Sequence, residues 1–238
     1  GLQITLTFPY IREFMLEKMK ILLNRLEAWC EKNESILEIQ VNDWAMAEMV
    51  KEKSLLIPVL GILLNKRRKD PRLHYKLETM TQTGAEAGGK FLEENSLNAG
   101  FYREYLEKEY GIARFEWESC GYDMTLSVGK NSLHLPFYQT NTSQYCTLYA
   151  KCTTGERGKQ KLVKQCPGFC KDYGFLYPDH LKMVGRYNSL FALDGRIFED
   201  DPGSGSGMEN EVGMKTGIKE MFQKWKTAGT DRLVVNML

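Results

Sequence analysis

Apolar and polar residues alternate over positions 3–8 and the run stops at Pro9, a period of two that predicts a strand followed by a turn. From residue 11 to residue 30 the spacing changes. Phe14, Met15, Met19, Leu22, Leu23, Leu26 and Trp29 recur at steps of three and four, which predicts an amphipathic helix that stops near Asn33. Residues 36–41 predict a second strand. Asn42-Asp43 at its end is suited to cap a helix over 44–53, with Met46, Met49 and Val50 as its buried stripe, and residues 55–60 predict a third strand. Strand, helix, strand, helix, strand is the order of a parallel sheet with crossover helices.

Residues 65–100 break this rhythm with the basic run Lys66-Arg67-Arg68-Lys69, then Asp70-Pro71, then a small-residue stretch over 84–89. They read as an insertion or lid. A helix over 101–110 closed by Gly111 and a strand over 112–116 resume the pattern, followed by a strand over 132–136. Residues 139–177 show little periodicity. Short strands are expected over 184–186 and 190–193, around Tyr187-Asn188, a flexible stretch over 202–207, a last helix over 218–225 and a last strand over 232–237. The alternation predicts an α/β chain forming a TIM-like (β/α)₈ barrel short of one or two units, as one domain over 1–238. An open dinucleotide-binding sheet has little support, because no Gly-rich phosphate loop follows any strand.

Composition narrows the classes. At 42% hydrophobic and 26% charged residues the chain can bury a core and is neither disordered nor fibrous. Thirty-two basic against thirty-one acidic residues leave a net charge of +1, so no global field draws it to nucleic acid or a membrane, and anion binding must be local. Its apolar runs end well short of the ~18–20 residues that cross a bilayer. The opening Gly1-Leu2-Gln3-Ile4 has neither an initiator Met nor a basic-then-apolar leader, from which a cytoplasmic location and a missing N-terminal piece are expected.

Four of the six cysteines, Cys146, Cys152, Cys166 and Cys170, crowd into the segment 139–177. Disulfides are the weakest explanation, since a chain of this size needs no staples and no leader sends it to an oxidising compartment. Soft anionic sulfur suits either structural zinc or an iron–sulfur cluster. Zinc sites usually pair cysteines two to four residues apart in two knuckles, whereas here the gaps hold five, thirteen and three residues, which tips the balance towards a cluster. Cys30, beside Trp29 in the helical pattern, reads as a small core hydrophobe. Cys120 follows a strand and is a reserve ligand.

Other candidate site residues sit where barrel strands end. Asn42 and Asp43 read equally as a catalytic pair and as a helix cap. Glu116 and Glu118 share a strand face at period two and could line one pocket, against the plainer reading of a solvated strand end. His134 points away from Leu133 and Leu135, as a lumen residue or a satisfied core histidine would. Asn188 completes the set, while His74 and His180 have no motif around them. The run 66–69 with Arg72 could grip phosphates, yet only Tyr75 is near to stack a base, so a solvated loop is the simpler reading.

The segments Val41-Asn42-Asp43-Trp44-Ala45 and Gly61-Ile62-Leu63-Leu64-Asn65-Lys66-Arg67-Arg68-Lys69-Asp70-Pro71-Arg72 resemble the N-D-W-G and L-N-K-R-x-R-D-P-R segments of the collagenase-like peptidase family U thirty-two. Tyr110-Gly111-Ile112-Ala113-Arg114-Phe115-Glu116 and Ser132-Leu133-His134-Leu135-Pro136-Phe137 are similar to a later part of that family, and the cysteine segment to its UbiV-like branch. The resemblance is patchy but runs to Thr230-Asp231-Arg232-Leu233-Val234. It implies a TIM-like barrel, a 4Fe-4S cluster, and oxygen-independent hydroxylation of a quinone precursor or of RNA, often beside a paralogous subunit. By position, Cys146, Cys166 and Cys170 match three of the branch's ligands; its fourth comes from near the N-terminus, so that here either Cys152 completes the site or the fourth ligand lies in the missing N-terminal piece, and Cys152 is the favoured one. A zinc- or cluster-stabilised binding subunit without catalysis is the alternative. Peptidase activity rests on the family label alone, since the chain has no G-x-S-x-G elbow, no H-E-x-x-H helix and no Cys–His arrangement.

Overall fold

The computed structural model describes residues 3–70, 94–120, 124–126, 128–178, 181–197 and 222–236. In chain order the elements are β1 (Thr5–Thr7), α1 (Leu16–Lys32), β2 (Leu37–Val41), α2 (Trp44–Lys51), β3 (Leu56–Leu60), α3 (Gly100–Tyr110), β4 (Arg114–Glu118) and β5 (Lys130–Leu135). There follow β6 (Phe137–Thr142), α4 (Thr147–Thr154), β7 (Phe175–Leu176), β8 (Met183–Arg186), β9 (Ser189–Leu193), helical residues 222–227 and β10 (Thr230–Val235).

Local chemistry sets several boundaries. Asp43 adopts an extended conformation before α2 and its Oδ1 accepts from the Met46 backbone N–H at 2.8 Å, so the cap expected from Asn42-Asp43 is made by the second residue alone. Gly111 ends α3 with φ +67, a left-handed turn in which its N–H returns to the Glu107 carbonyl.

Six strands form one parallel sheet in the order β1-β2-β3-β4-β5-β10. Its outer face presents Leu37, Ile39, Val41, Leu56, Leu60, Phe115, Trp117, Leu133 and Leu135 to helix residues such as Leu23, Met46, Val50, Leu106 and Trp225, and this is the main core. Cys30 is fully buried there, as the helical pattern implied. The opposite face is polar except on β3, which places Ile57 and Val59 beside Glu38 and Gln40. It carries Glu38 and Gln40 from β2, Arg114, Glu116 and Glu118 from β4, and Ser132 and His134 from β5, with Glu118 in register with His134. Contacts across this face curl the sheet into a half-barrel.

After β5 the chain leaves the barrel rhythm. β6 pairs antiparallel with β9, β9 with β8 and β8 with β7, making a separate four-stranded sheet. The expected short strands over 184–186 and 190–193 therefore exist, but as a hairpin and not as barrel strands. The reason is local: Tyr187 and Asn188, both at positive φ, make a turn too short for a parallel crossover. The aperiodic segment 139–177 likewise contains most of β6 and all of α4. Only β10 returns to the barrel, parallel to β5. Of the proposed insertion, residues 65–70 and 94–100 are described, and Asn95 is bridged to Arg67. Arg72, His74, Tyr75, the stretch 84–89, His180 and the stretch 202–207 lie outside the described residues. No helix among the described residues is long and apolar enough to cross a membrane.

Candidate functional site

Two polar layers fill the concave face. The lower one lies at the amino ends of the strands. Arg232 donates to both oxygens of Glu38 at 2.6 and 3.1 Å, Thr5 donates to Glu38 at 2.6 Å, and Arg114 approaches Glu38 at 3.4 Å while forking onto Asp231 at 2.8 and 2.9 Å. Burial works against ionising Glu38 and Asp231. The guanidinium partners outweigh it and hold both carboxyls below their ordinary values.

The upper layer lies towards the carboxyl ends. His134 Nε2 meets Glu116 Oε2 at 2.5 Å and its Nδ1 meets Asn236 Oδ1 at 3.2 Å. Burial alone would lower the imidazole pKa, but the bond to Glu116 and the charges of Glu116 and Glu118 outweigh it, so the pKa is raised. Because Asn236 Nδ2 donates to the Phe137 carbonyl at 2.9 Å, its oxygen is aimed at the ring. Glu116 is 2% exposed and its Oε1 accepts no hydrogen bond among the described residues. The expectation of a solvated strand end for Glu116 and Glu118 is thus overturned: both are buried, because the sheet curls over its polar face.

Glu118 accepts from the Gln139 backbone N–H at 2.6 Å and pairs with Lys69, which reaches back into the mouth from the basic run. Arg67 donates to the Glu118 carbonyl at 3.0 Å, and Asn65 to the Glu116 carbonyl at 3.3 Å. The run is therefore not simply a solvated loop; Lys66 and Arg68 are exposed, whereas Arg67 and Lys69 are built into the barrel mouth. Sequence reasoning missed Glu38, Asn65, Arg232 and Asp231. The visible signal was the polar period of two in β2, β4 and β5.

The remaining candidates hold structure together. Asn42 donates to the Phe8 carbonyl at 2.8 Å and accepts from the Leu63 N–H at 3.1 Å, while Asp43 also accepts from the Ile11 N–H at 2.5 Å. Asn188 is not at a barrel strand end: it lies in the β8–β9 turn, donating to the Ser143 carbonyl and, at 3.2 Å, to the Tyr10 hydroxyl.

All six cysteines are free thiols. Cys146 caps α4, its Sγ accepting from the Tyr149 N–H at 3.4 Å, and Cys166 Sγ accepts from the Gly168 N–H at the same distance. Cys170 lies in the 3₁₀ turn Phe169–Lys171, which packs on α4 through Tyr149 and Phe169, ring centroids 6.1 Å apart. Arg12 fastens the segment to the barrel by donating to the Val163 and Gln144 carbonyls at 2.5 and 2.7 Å. Cys152 and Cys166 are exposed. Among the described residues no three His, Cys, Asp or Glu side chains are gathered as a metal-binding group, so the thiols fit a cluster in number and type but are not drawn together. Cys120 stays apart from them, buried against Tyr138 and Ala192, and burial pushes its thiol up to about 11.

Compared with known proteins, the chain matches no family model, no curated protein and no solved structure.

Proposed function

We propose that this chain is a metal-binding, incomplete TIM-like barrel in which Cys146, Cys152, Cys166 and Cys170 hold a 4Fe-4S cluster, as in the UbiV-like branch that its sequence resembles. The observation carrying this is the state of the cysteine segment: four unpaired thiols, two of whose sulfurs already accept backbone N–H bonds at the start of a turn or helix. Hydrogen bonds of this kind to the ligating sulfurs tune iron–sulfur clusters. Metal binding and loop ordering are coupled in sites of this kind, so the metal would gather the four sulfurs. Capped by four thiolates, the cluster would supply electron transfer. The role that follows is a subunit, beside a paralogous partner, in oxygen-independent hydroxylation or a related redox modification of a quinone precursor or RNA in the cytoplasm.

The second reading, a non-catalytic binding subunit, is favoured by the exposure of Cys152 and Cys166 and takes the same four thiols for one zinc ion. Anaerobic purification with metal and sulfide analysis separates the two. Broad absorbance near ~400 nm with about four irons and four sulfides per chain, lost in Cys166→Ser and in Cys152→Ser, supports the cluster with Cys152 as fourth ligand. One zinc without sulfide replaces it by the structural site, and a cluster that survives Cys152→Ser moves the fourth ligand elsewhere.

A further inference from the structure

Helix α1 is apolar on two sides. Met19, Leu23, Leu26 and Cys30 face the barrel and belong to its main core. A second stripe lies on the side turned furthest from that core, where a surface helix is ordinarily charged or polar. Phe14, Ile21 and Ala28 fall seven residues apart and, at ~100° per residue, point the same way to within about 40°, Phe14 from the 3₁₀ turn Glu13–Met15 that runs directly into the helix. Phe14 is 51% exposed and Ile21 60%, so neither serves the core.

Charge flanks this stripe unevenly. Lys18, Arg25 and Lys32 recur on one side at the same spacing, while Glu17, Asn24 and Glu31 recur on the other, and all six are exposed. Lys18, Arg25, Lys32 and Glu31 make no ion pair among the described residues, and the pair that Glu17 makes with Lys20 at 2.8 Å is itself in solvent. An apolar seam with base on one side and acid on the other is the pattern of a helix that meets another helix.

The arrangement selects its own partner. When a second copy of α1 is set parallel to the first across a two-fold axis, the two stripes meet at the axis, each residue against its own equivalent. The basic column of each copy then faces the acidic column of the other, Lys18 by Glu17 and Lys32 by Glu31, and the symmetry makes each contact twice. In an antiparallel pair the columns face their own kind, Lys18 by Lys32 and Glu17 by Glu31, and repel.

We infer that α1 is a self-association surface through which two copies of this chain pair as a parallel, two-fold dimer. The apolar seam supplies the attraction and the charged columns set its direction. The pairing does not depend on what the cysteines bind.

Sedimentation velocity of the full chain in low-salt buffer tests it, since salt screens exposed ion pairs. A dimer should form as the concentration rises to about 100 μM, and Ile21→Glu should leave a monomer whose far-UV circular dichroism is unchanged. Lys18→Glu turns two attractive contacts into repulsive ones and should weaken dimerisation about tenfold, whereas adding Glu17→Lys to it reverses the pair and should restore association. Should Ile21→Glu disturb the fold, the charge reversal still decides. A chain that stays monomeric at that concentration overturns the pairing and leaves the stripe to a different protein. A dimer that Ile21→Glu leaves intact overturns it as well, and strengthening by Lys18→Glu, the response of an antiparallel pair, overturns the arrangement.

Discussion

Arg232 of β10 grips both carboxylate oxygens of Glu38 on β2, although β3, β4 and β5 lie between their strands in the sheet. Strands are spaced ~4.8 Å apart, so on a flat sheet four steps would hold these residues about 19 Å apart. Contact at 2.6 Å means that the sheet has curled far enough for its last strand to face its second. The same guanidinium reaches Thr5 of β1 at 3.3 Å, which ties the two edge strands across the lower layer.

Breaking this contact should loosen the curl. Arg232→Met is expected to cost about 1–3 kcal/mol, because it leaves a partly buried carboxylate short of its main partner. Urea denaturation measures the loss, and a cycle with Glu38→Gln should show coupling between the two. Additivity of the two substitutions would mean that the ion pair does not hold the sheet edges.

The two polar layers respond to pH in opposite directions. Glu38 and Asp231 have lowered pKa values, so their stabilisation is present above the ordinary 4.5 and 3.8 and is lost as pH falls through the lower folded values. His134 has a raised pKa, so its contribution is complete below the ordinary 6.5 and is lost as pH rises through the higher folded value. Stability measured from mildly acidic to alkaline pH should therefore decline on the alkaline side in the native chain. In His134→Gln that decline should flatten, and an unchanged slope would remove the pair as its source.

Asp43 serves two backbone donors at once, the Met46 N–H inside α2 and the Ile11 N–H ahead of α1. Loss of an N-cap alone costs about 1 kcal/mol. Asp43→Ala should exceed that figure, whereas Asp43→Asn, which keeps an oxygen for the cap, should cost less. Thermal melts of the two variants check the order.

Thiol reactivity should follow burial in the metal-free chain. Cys152 and Cys166 are exposed and should be labelled at once by an aromatic disulfide reagent, while fully buried Cys30 should react only on unfolding. Cys120, whose thiol burial raises to about 11, should also be slow. Protection of Cys146, Cys152, Cys166 and Cys170 together after metal loading would tie the four to one site; labelling of Cys152 at its metal-free rate would remove it from the set.

Apolar periodicity by itself determined the elements of the first sixty residues, because period two and steps of three and four follow directly from backbone geometry. It also pointed to the buried place of Cys30 and the shared face of Glu116 and Glu118, while residue type supplied the Gly111 stop and offered Asn42-Asp43 as a cap no more strongly than as a catalytic pair. Tertiary structure alone decided what that shared face meets. Glu118 draws Lys69 back from a loop that reads as solvated, Glu116 finds His134 on the neighbouring strand, and Glu38 finds Arg232 nearly two hundred positions away. Pairing of this kind depends on strand order and on the curl of the sheet. Neither leaves a local signature, since an inward-facing charge and a solvent-facing one occupy the same alternating position along a strand. The departure of β6 to β9 into a second sheet was hidden for a related reason: a strand's pattern records which of its faces is buried, not the direction of the neighbour it joins.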